Sequence, residues 1–248
     1  MRLAKKLNIF FIVVMIGPIL SIACGHAHMD QDWRTASRIS AQIAPSPETP
    51  EAIVQIYAAR AFNWRGILGV HTWIATKQSH DQHFMVHDVI GWRSFSNRAV
   101  LASYIDIPDR LWFGNQPEIL VDLRGQDAEE AILHIADAIA AYPYTWDYRL
   151  WPGPNSNTFT AFIGRQVPEL RLHLPPTAIG KDFLEGNTIL ATTPSGTGHQ
   201  FSFSGLFGMT AAWHEGIEMN IIGLVFGVDI RRPAIKLPGI GRIGFPQN

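Results

Sequence analysis

From Ala52 to Leu123 the chain is a succession of short β-rich runs separated by brief polar links, and this pattern sets the fold class. The runs 53–58, 67–76 and 84–90 are rich in β-branched and aromatic residues and have strand length, and 100–107 and 119–123 add two more. Lys77 to His83 is a polar hairpin tip between the second and third runs. Consecutive strands with short links predict an antiparallel meander. Asp127 to Ala141 then reads as a helix. Asp127, Glu129 and Glu130 favour its positive end, Ile132, Ile135 and Ile139 share a face, and Pro143 ends it. A second helix is expected from Ser156 to Arg165, with Phe159, Phe162 and Ile163 inward, and a third from Met209 to Asn220. Phe201–Phe207 and Ile221–Val228 read as core strands; they are too short to span a bilayer, and peripheral contact with lipid is their other reading. The expectation is an α+β fold, an antiparallel sheet packed on helices.

The N-terminus sets the compartment. Arg2, Lys5 and Lys6 precede an apolar run of about 15 residues, Ile9 to Ala23, broken only by Gly17, Pro18 and Ser21. A bilayer span needs roughly 20 residues. Leu20-Ser-Ile-Ala-Cys24 resembles a lipoprotein processing site, although Ser21 stands where a leucine is usual. Cys24, the only cysteine, is then the lipidation residue, and an internal disulfide or a cysteine-based zinc cluster is excluded. Lipoprotein, uncleaved anchor and simple secretion all place the domain outside the cytoplasm, in the cell envelope and facing periplasm or exterior. Residues 1–24 are therefore read as signal or anchor. Residues 25–50, polar and bearing Pro45, Pro47 and Pro50, are read as a tether, and 51–248 as one globular domain. A formal net charge of −1 gives nothing to neutralise phosphates, so nucleic acid is excluded as a partner. His26 and His28, in the tether, do not make a metal site.

Two stretches carry candidate chemistry. In Trp151-Pro-Gly-Pro-Asn-Ser-Asn-Thr-Phe159 the prolines stiffen the incoming loop, Asn155 is a natural N-cap, and Ser156 stands in the first helical turn. Backbone N–H groups there can donate to an oxyanion. The helix dipole supplies only on the order of 1 kcal/mol, so Ser156 needs a base to become a nucleophile. In Gly69-Val-His-Thr-Trp-Ile-Ala75, alternation puts His71 and Trp73 on one strand face and Thr72 on the other. His71 is the candidate base; the bland reading is a core histidine bonded to a carbonyl. The hairpin brings His87 or Asp88 near His71, with His87 expected as the orienting partner and Asp88 on the opposite side. Asn155, Asn157, Tyr148, Trp151 and Trp73 are the expected substrate-binding residues.

Three weaker signals are set aside. His80 and His83 sit on a loop tip without a carboxylate cluster. Trp213-His-Glu-Gly-Ile-Glu218 has Glu218 where a zinc-protease helix needs histidine. Gly239-Ile-Gly-Arg-Ile-Gly244 has dinucleotide-loop spacing but no room for a following helix, and reads as a flexible end. No cofactor and no metal are expected.

Trp64-Arg-Gly66, Val70-His-Thr-Trp-Ile-Ala75, Val89-Ile-Gly-Trp-Arg93, Trp112-Phe-Gly-Asn115, Trp151 to Phe159 and Leu174 to Asp182 resemble the bacterial domain-of-unknown-function family 3750. That resemblance implies an envelope protein with an N-terminal hydrophobic segment and no known activity. Asn155-Ser-Asn-Thr-Phe159 and the His71 strand are also similar to circularly permuted papain-like proteins of the NlpC/P60 and lecithin–retinol acyltransferase type. This second likeness implies Ser156 in the place of the catalytic cysteine, His71 as base and His87 as a third member. Two readings follow. One is a Ser–His hydrolase or acyl/amide transferase acting on an envelope substrate, a peptidoglycan peptide or lipid. The other is a non-catalytic envelope module, binding lipid, glycan or protein through Trp73, Trp92 and Trp151, or a structural protein acting through a partner. In either case the membrane is met through the N-terminus.

Overall fold

Strand β1 (Ile53–Arg60) is buried along almost its whole length, because both of its faces are covered. The computed structural model describes residues 15–25 and 31–246. Around β1 an antiparallel sheet forms in the order β4-β3-β2-β1-β5, with β2 at Val70–Lys77, β3 at Met85–Val89, β4 at Leu101–Ile105 and β5 at Pro117–Arg124. All five expected strands are present, and the fold is α+β. Residues of even parity in β1 and β2, among them Val54, Ile56, Val70 and Ile74, point to helices α1 (Gly125–Ala141) and α2 (Ser156–Gln166). Ile132 and Ile135 of α1 and Phe159, Phe162 and Ile163 of α2 fill that side, as their spacing predicts. Ile53, Tyr57, Trp73 and Val86 point the other way and pack on Phe84, Trp112 and Phe113.

That second face is covered partly by the stretch expected to be a tether. Ser40 Oγ and the Ile43 and Ala44 N–H groups donate to the Asp109 carboxylate, and Leu111 N–H donates to Ile39 O. Residues 39–44 are thereby held against the domain instead of hanging free, because their polar groups satisfy a carboxylate that is 1% exposed. The sealed Lys77 ammonium donates to Thr49 O at 2.6 Å and Glu51 O at 3.0 Å, extending the same attachment.

A second sheet follows, a seven-stranded antiparallel meander. Its strands are β6 (Leu190–Thr192), β7 (Gly198–Phe203), β8 (Phe207–Ala212), β9 (Gly216–Ile221), β10 (Leu224–Asp229), β11 (Ala234–Leu237) and β12 (Gly241–Gly244). The helix expected over Met209 to Asn220 is instead the β8–β9 hairpin. Its residues alternate with period two, Thr210 in and Met209 out, and Gly216 at φ +70° supplies the turn that a helix has no use for. The C-terminal glycine run, expected as a flexible end, is the β11–β12 turn and a paired strand.

The alternation in this sheet is inverted. Gln200, Ser202, Thr210, Glu218, Asn220 and Lys236 are buried against the rest of the protein. Glu218 lies 2.5 Å from both Lys181 Nζ and Lys236 Nζ, Asn220 donates to Asp182 at 2.8 Å, and Arg165 of α2 donates to Gln200 at 2.8 Å. Burial opposes the charge on Glu218, but the two ammonium groups prevail and hold its carboxyl at about 2. Outward, register aligns Leu190, Phe201, Met209, Met219 and Phe226 across five strands. The adjacent row is Ala211, Ile217, Val228, Ile235 and Ile243. Residues 15–23 are helical and meet the β11–β12 turn; a Cβ on Gly17 would lie 1.7 Å from Pro238 O. Among the described residues no helix is long and apolar enough to cross a membrane.

Opposite faces of this sheet should respond oppositely to substitution. Glu218→Ala removes the carboxylate shared by two buried ammonium groups and is expected to cost about 3–5 kcal/mol in urea denaturation. Phe201→Ser, at a position 46% exposed, should cost less than about 1 kcal/mol.

Candidate functional site

The start of α2 is built by its own side chains. Asn155 is the N-cap: its Oδ1 accepts from Asn157 N at 3.0 Å and Thr158 N at 3.1 Å, and Thr158 Oγ1 accepts from Asn155 N at 3.1 Å. The peptide bonds Trp151–Pro152 and Gly153–Pro154 on the approach are cis. Asn155 Nδ2 donates to Leu150 O and Ile179 O, and the backbone comes so close there that a Cβ on Gly180 would fall 2.4 Å from that amide nitrogen. Asn157 Nδ2 donates to Val70 O and Ile179 O while its Oδ1 accepts from Thr72 Oγ1 at 3.0 Å. Both asparagines, expected to meet substrate, are buried and engaged, Asn155 in capping the helix and tying it to Leu150 and Ile179, Asn157 in clamping it to β2.

Ser156 is 5% exposed, its Oγ makes no hydrogen bond among the described residues, and its carbonyl accepts from Thr160 Oγ1 at 3.1 Å. The strand residue that meets it is Thr72, whose Oγ1 lies 3.3 Å from Ser156 O and 2.9 Å from Thr160 Oγ1. His71, one residue earlier, points through the opposite face of the sheet. Its ring stacks on Trp112 at 3.6 Å between centroids and 9° between planes, with Trp73 at 5.8 Å. The sheet separates the imidazole from the Ser156 helix start.

The partner of His71 is Asp88, not His87. Parity explains this: on β3, Asp88 shares the Val86 side, and His87 faces the helices. His71 Nε2 lies 3.0 Å from Asp88 Oδ1. Asp88 Oδ2 accepts from Arg110 Nη2 at 2.9 Å, and the same nitrogen donates to Tyr104 OH at 3.1 Å. Asp88 is fully buried. Burial disfavours its charge, but His71 and then Arg110 outweigh it and hold the carboxyl below the usual range. Chemically, the group is a buried charge cluster roofed by indoles. It contains an imidazole and a carboxylate, and among the described residues no hydroxyl or thiol is bonded to the ring. An aspartate inside the apolar run Val86 to Ile90 was the sequence signal for it; nothing local pointed to Arg110 or Trp112.

The other expected residues are dispersed. Trp73 is sealed, its Nε1 donating to Pro108 O at 2.7 Å. Trp92 extends the stack on Trp112 at 5.8 Å, and half-exposed Trp151 donates to Ile222 O in the second sheet. The three indoles therefore do not form one cleft. The Tyr148 ring packs beneath Gly91, 2.4 Å from where a Cβ would stand. Cys24 is exposed and free, while His26 and His28 lie outside the described residues. Among the described residues no group of three or more His, Cys, Asp or Glu is placed to hold a metal.

His87 sits between Thr76 Oγ1 at 3.1 Å and Ser103 Oγ at 2.7 Å, and burial pushes its imidazole down to about 4. An unfolded histidine titrates near 6.5, so between these values the unfolded chain holds the extra proton and stability falls as pH falls. The thermal midpoint should therefore drop between pH 6.5 and pH 4, and His87→Gln should flatten that drop.

No curated protein and no solved structure matches the chain. The family described as "Protein of unknown function (DUF3750)" matches residues 51–183, from β1 through the loop that follows α2, and stops short of the second sheet. With more than half of its length matched, the chain belongs to the DUF3750 family.

Proposed function

We propose that this protein is a non-catalytic binding module of the bacterial cell envelope, built on a papain-like helix-on-sheet scaffold. The observation that carries this reading is the parity of β2: Thr72 meets the start of α2, and His71 is turned beneath Trp112 on the far side of the sheet. An alcohol at a helix start without a base retains the nucleophilicity of an ordinary serine. The dipole alone does not supply the difference. Asn155 and Asn157, which would otherwise greet a substrate, are spent on capping and on the clamp to β2. The module is held at the membrane by lipid on exposed Cys24 or by the leader itself, and its partner is an envelope component: peptidoglycan peptide, lipid or protein.

The test replaces Ser156 by a thiol and asks whether His71 activates it. In a Cys24→Ser background, Ser156→Cys and the Ser156→Cys, His71→Ala double variant should be alkylated by iodoacetamide at rates within about twofold of each other, with no low-pKa limb in the pH profile. Alkylation that is at least about tenfold faster with His71 present overturns the proposal and restores a Ser–His site.

A further inference from the structure

We propose that the seven-stranded sheet is a membrane seat: its outward face lies flat on a lipid bilayer, and exposed arginines at the end of the sheet meet anionic headgroups. This rests on the envelope reading above for its setting but not on the absence of catalysis.

The face itself is the first observation. An antiparallel sheet with one solvated side normally buries its apolar residues and exposes its polar ones. Here Phe201, Phe203, Met209, Ile217, Met219 and Ile235 are each between 46% and 60% exposed, while Glu218 and Lys236 on the same strands are sealed. Seven strands of up to six residues make a face of roughly 29 by 20 Å, about 600 Å², at the top of the range that monomers leave uncovered.

Three further observations select lipid as the occupant. First, the apolar helix over residues 15–23 abuts the β11–β12 turn at the end of the sheet. Second, the rim is cationic. A cleft of about 770 Å³ runs between the β1–β5 edge and the inward side of β10–β12; of its five arginines, Arg242 pairs with Asp229 and Arg60 is held by backbone carbonyls, while Arg171 and Arg231 are exposed at the end of the sheet. Exposed Arg231 also lies over the exposed Trp213 ring at 5.9 Å, an amphipathic pair of the kind that sits at headgroup depth. A second copy would bring like charge against like charge; an anionic bilayer supplies the counter-charge. Third, apart from Thr192 and His199 towards one edge, the face offers apolar side chains. Lipid tails accept such a surface without the shape matching that a protein partner requires.

The experiment uses the full chain with Cys24→Ser and a single polarity-sensitive dye at Met209→Cys or Ile217→Cys. Leu133→Cys, exposed on α1, serves as the control. All three positions are outward, so folding is retained. With vesicles of phosphatidylethanolamine and phosphatidylglycerol, the Met209 and Ile217 probes should shift to the blue and be quenched by brominated acyl chains, and the Leu133 probe should do neither. Arg171→Glu with Arg231→Glu should weaken partition into these vesicles by about tenfold and leave phosphatidylcholine binding unchanged.

The seat is refuted if both sheet probes stay as wet as the Leu133 probe while the protein is vesicle-bound through its leader. A blue shift that grows with protein concentration in the absence of lipid also refutes it, since a second copy then covers the face. Equal loss on both vesicle types removes the arginine–headgroup contact. None of these outcomes bears on the alkylation of Ser156→Cys, so the two proposals fail separately.

Discussion

Glu218, gripped by Lys181 and Lys236 beneath the second sheet, is the interaction on which the outer half of the architecture depends. Three charges have been taken out of water, which is repaid only because each finds a partner within 2.5 Å. Gln200 meeting Arg165 and Asn220 meeting Asp182 continue the same polar seam. A seam of apolar residues would hold two layers together equally well. What the charged seam adds is orientation. With Glu218 and Lys236 facing in, strand alternation forces Met209, Ile217 and Met219 to face out.

The same period-two rule decides the chemistry of the first sheet. His71 and Thr72 are adjacent in sequence, yet one lies under Trp112 and the other touches Ser156 and Asn157. A single step along a strand thus separates a Ser–His pairing from a threonine clamp. His71 then falls to Asp88 and Arg110, and the helix start keeps its backbone donors and a capped first turn. The two halves share a logic: polar groups are spent on joining elements, while apolar surface remains on offer.

The links between the halves come from α2 and the loop behind it. Arg165 closes α2 on the second sheet, Lys181 and Asp182 extend the contact, and Trp151 reaches Ile222 from the stretch before α2. The DUF3750 match ends at residue 183, so these joints lie within the matched segment and the sheet they hold lies beyond it. The helix start that resembles a catalytic motif thus serves as the junction between the two layers.

Local pattern was sufficient for the strands β1–β5, both helices after residue 124, and the cap at Asn155, because each is determined by neighbours three or four residues away. It misread Met209 to Asn220, where alternating methionine, threonine and glutamate satisfy a helical face as readily as a strand until the partner across the hairpin is known. Periodicity reveals that a strand has two faces but not which face the fold will cover. That choice belongs to distant groups: Trp112 and Asp88 for His71, and Lys181 for Glu218. Electrostatic pairing and ring stacking across long stretches of chain have no signature within a short window, so only the tertiary structure could assign inside and outside.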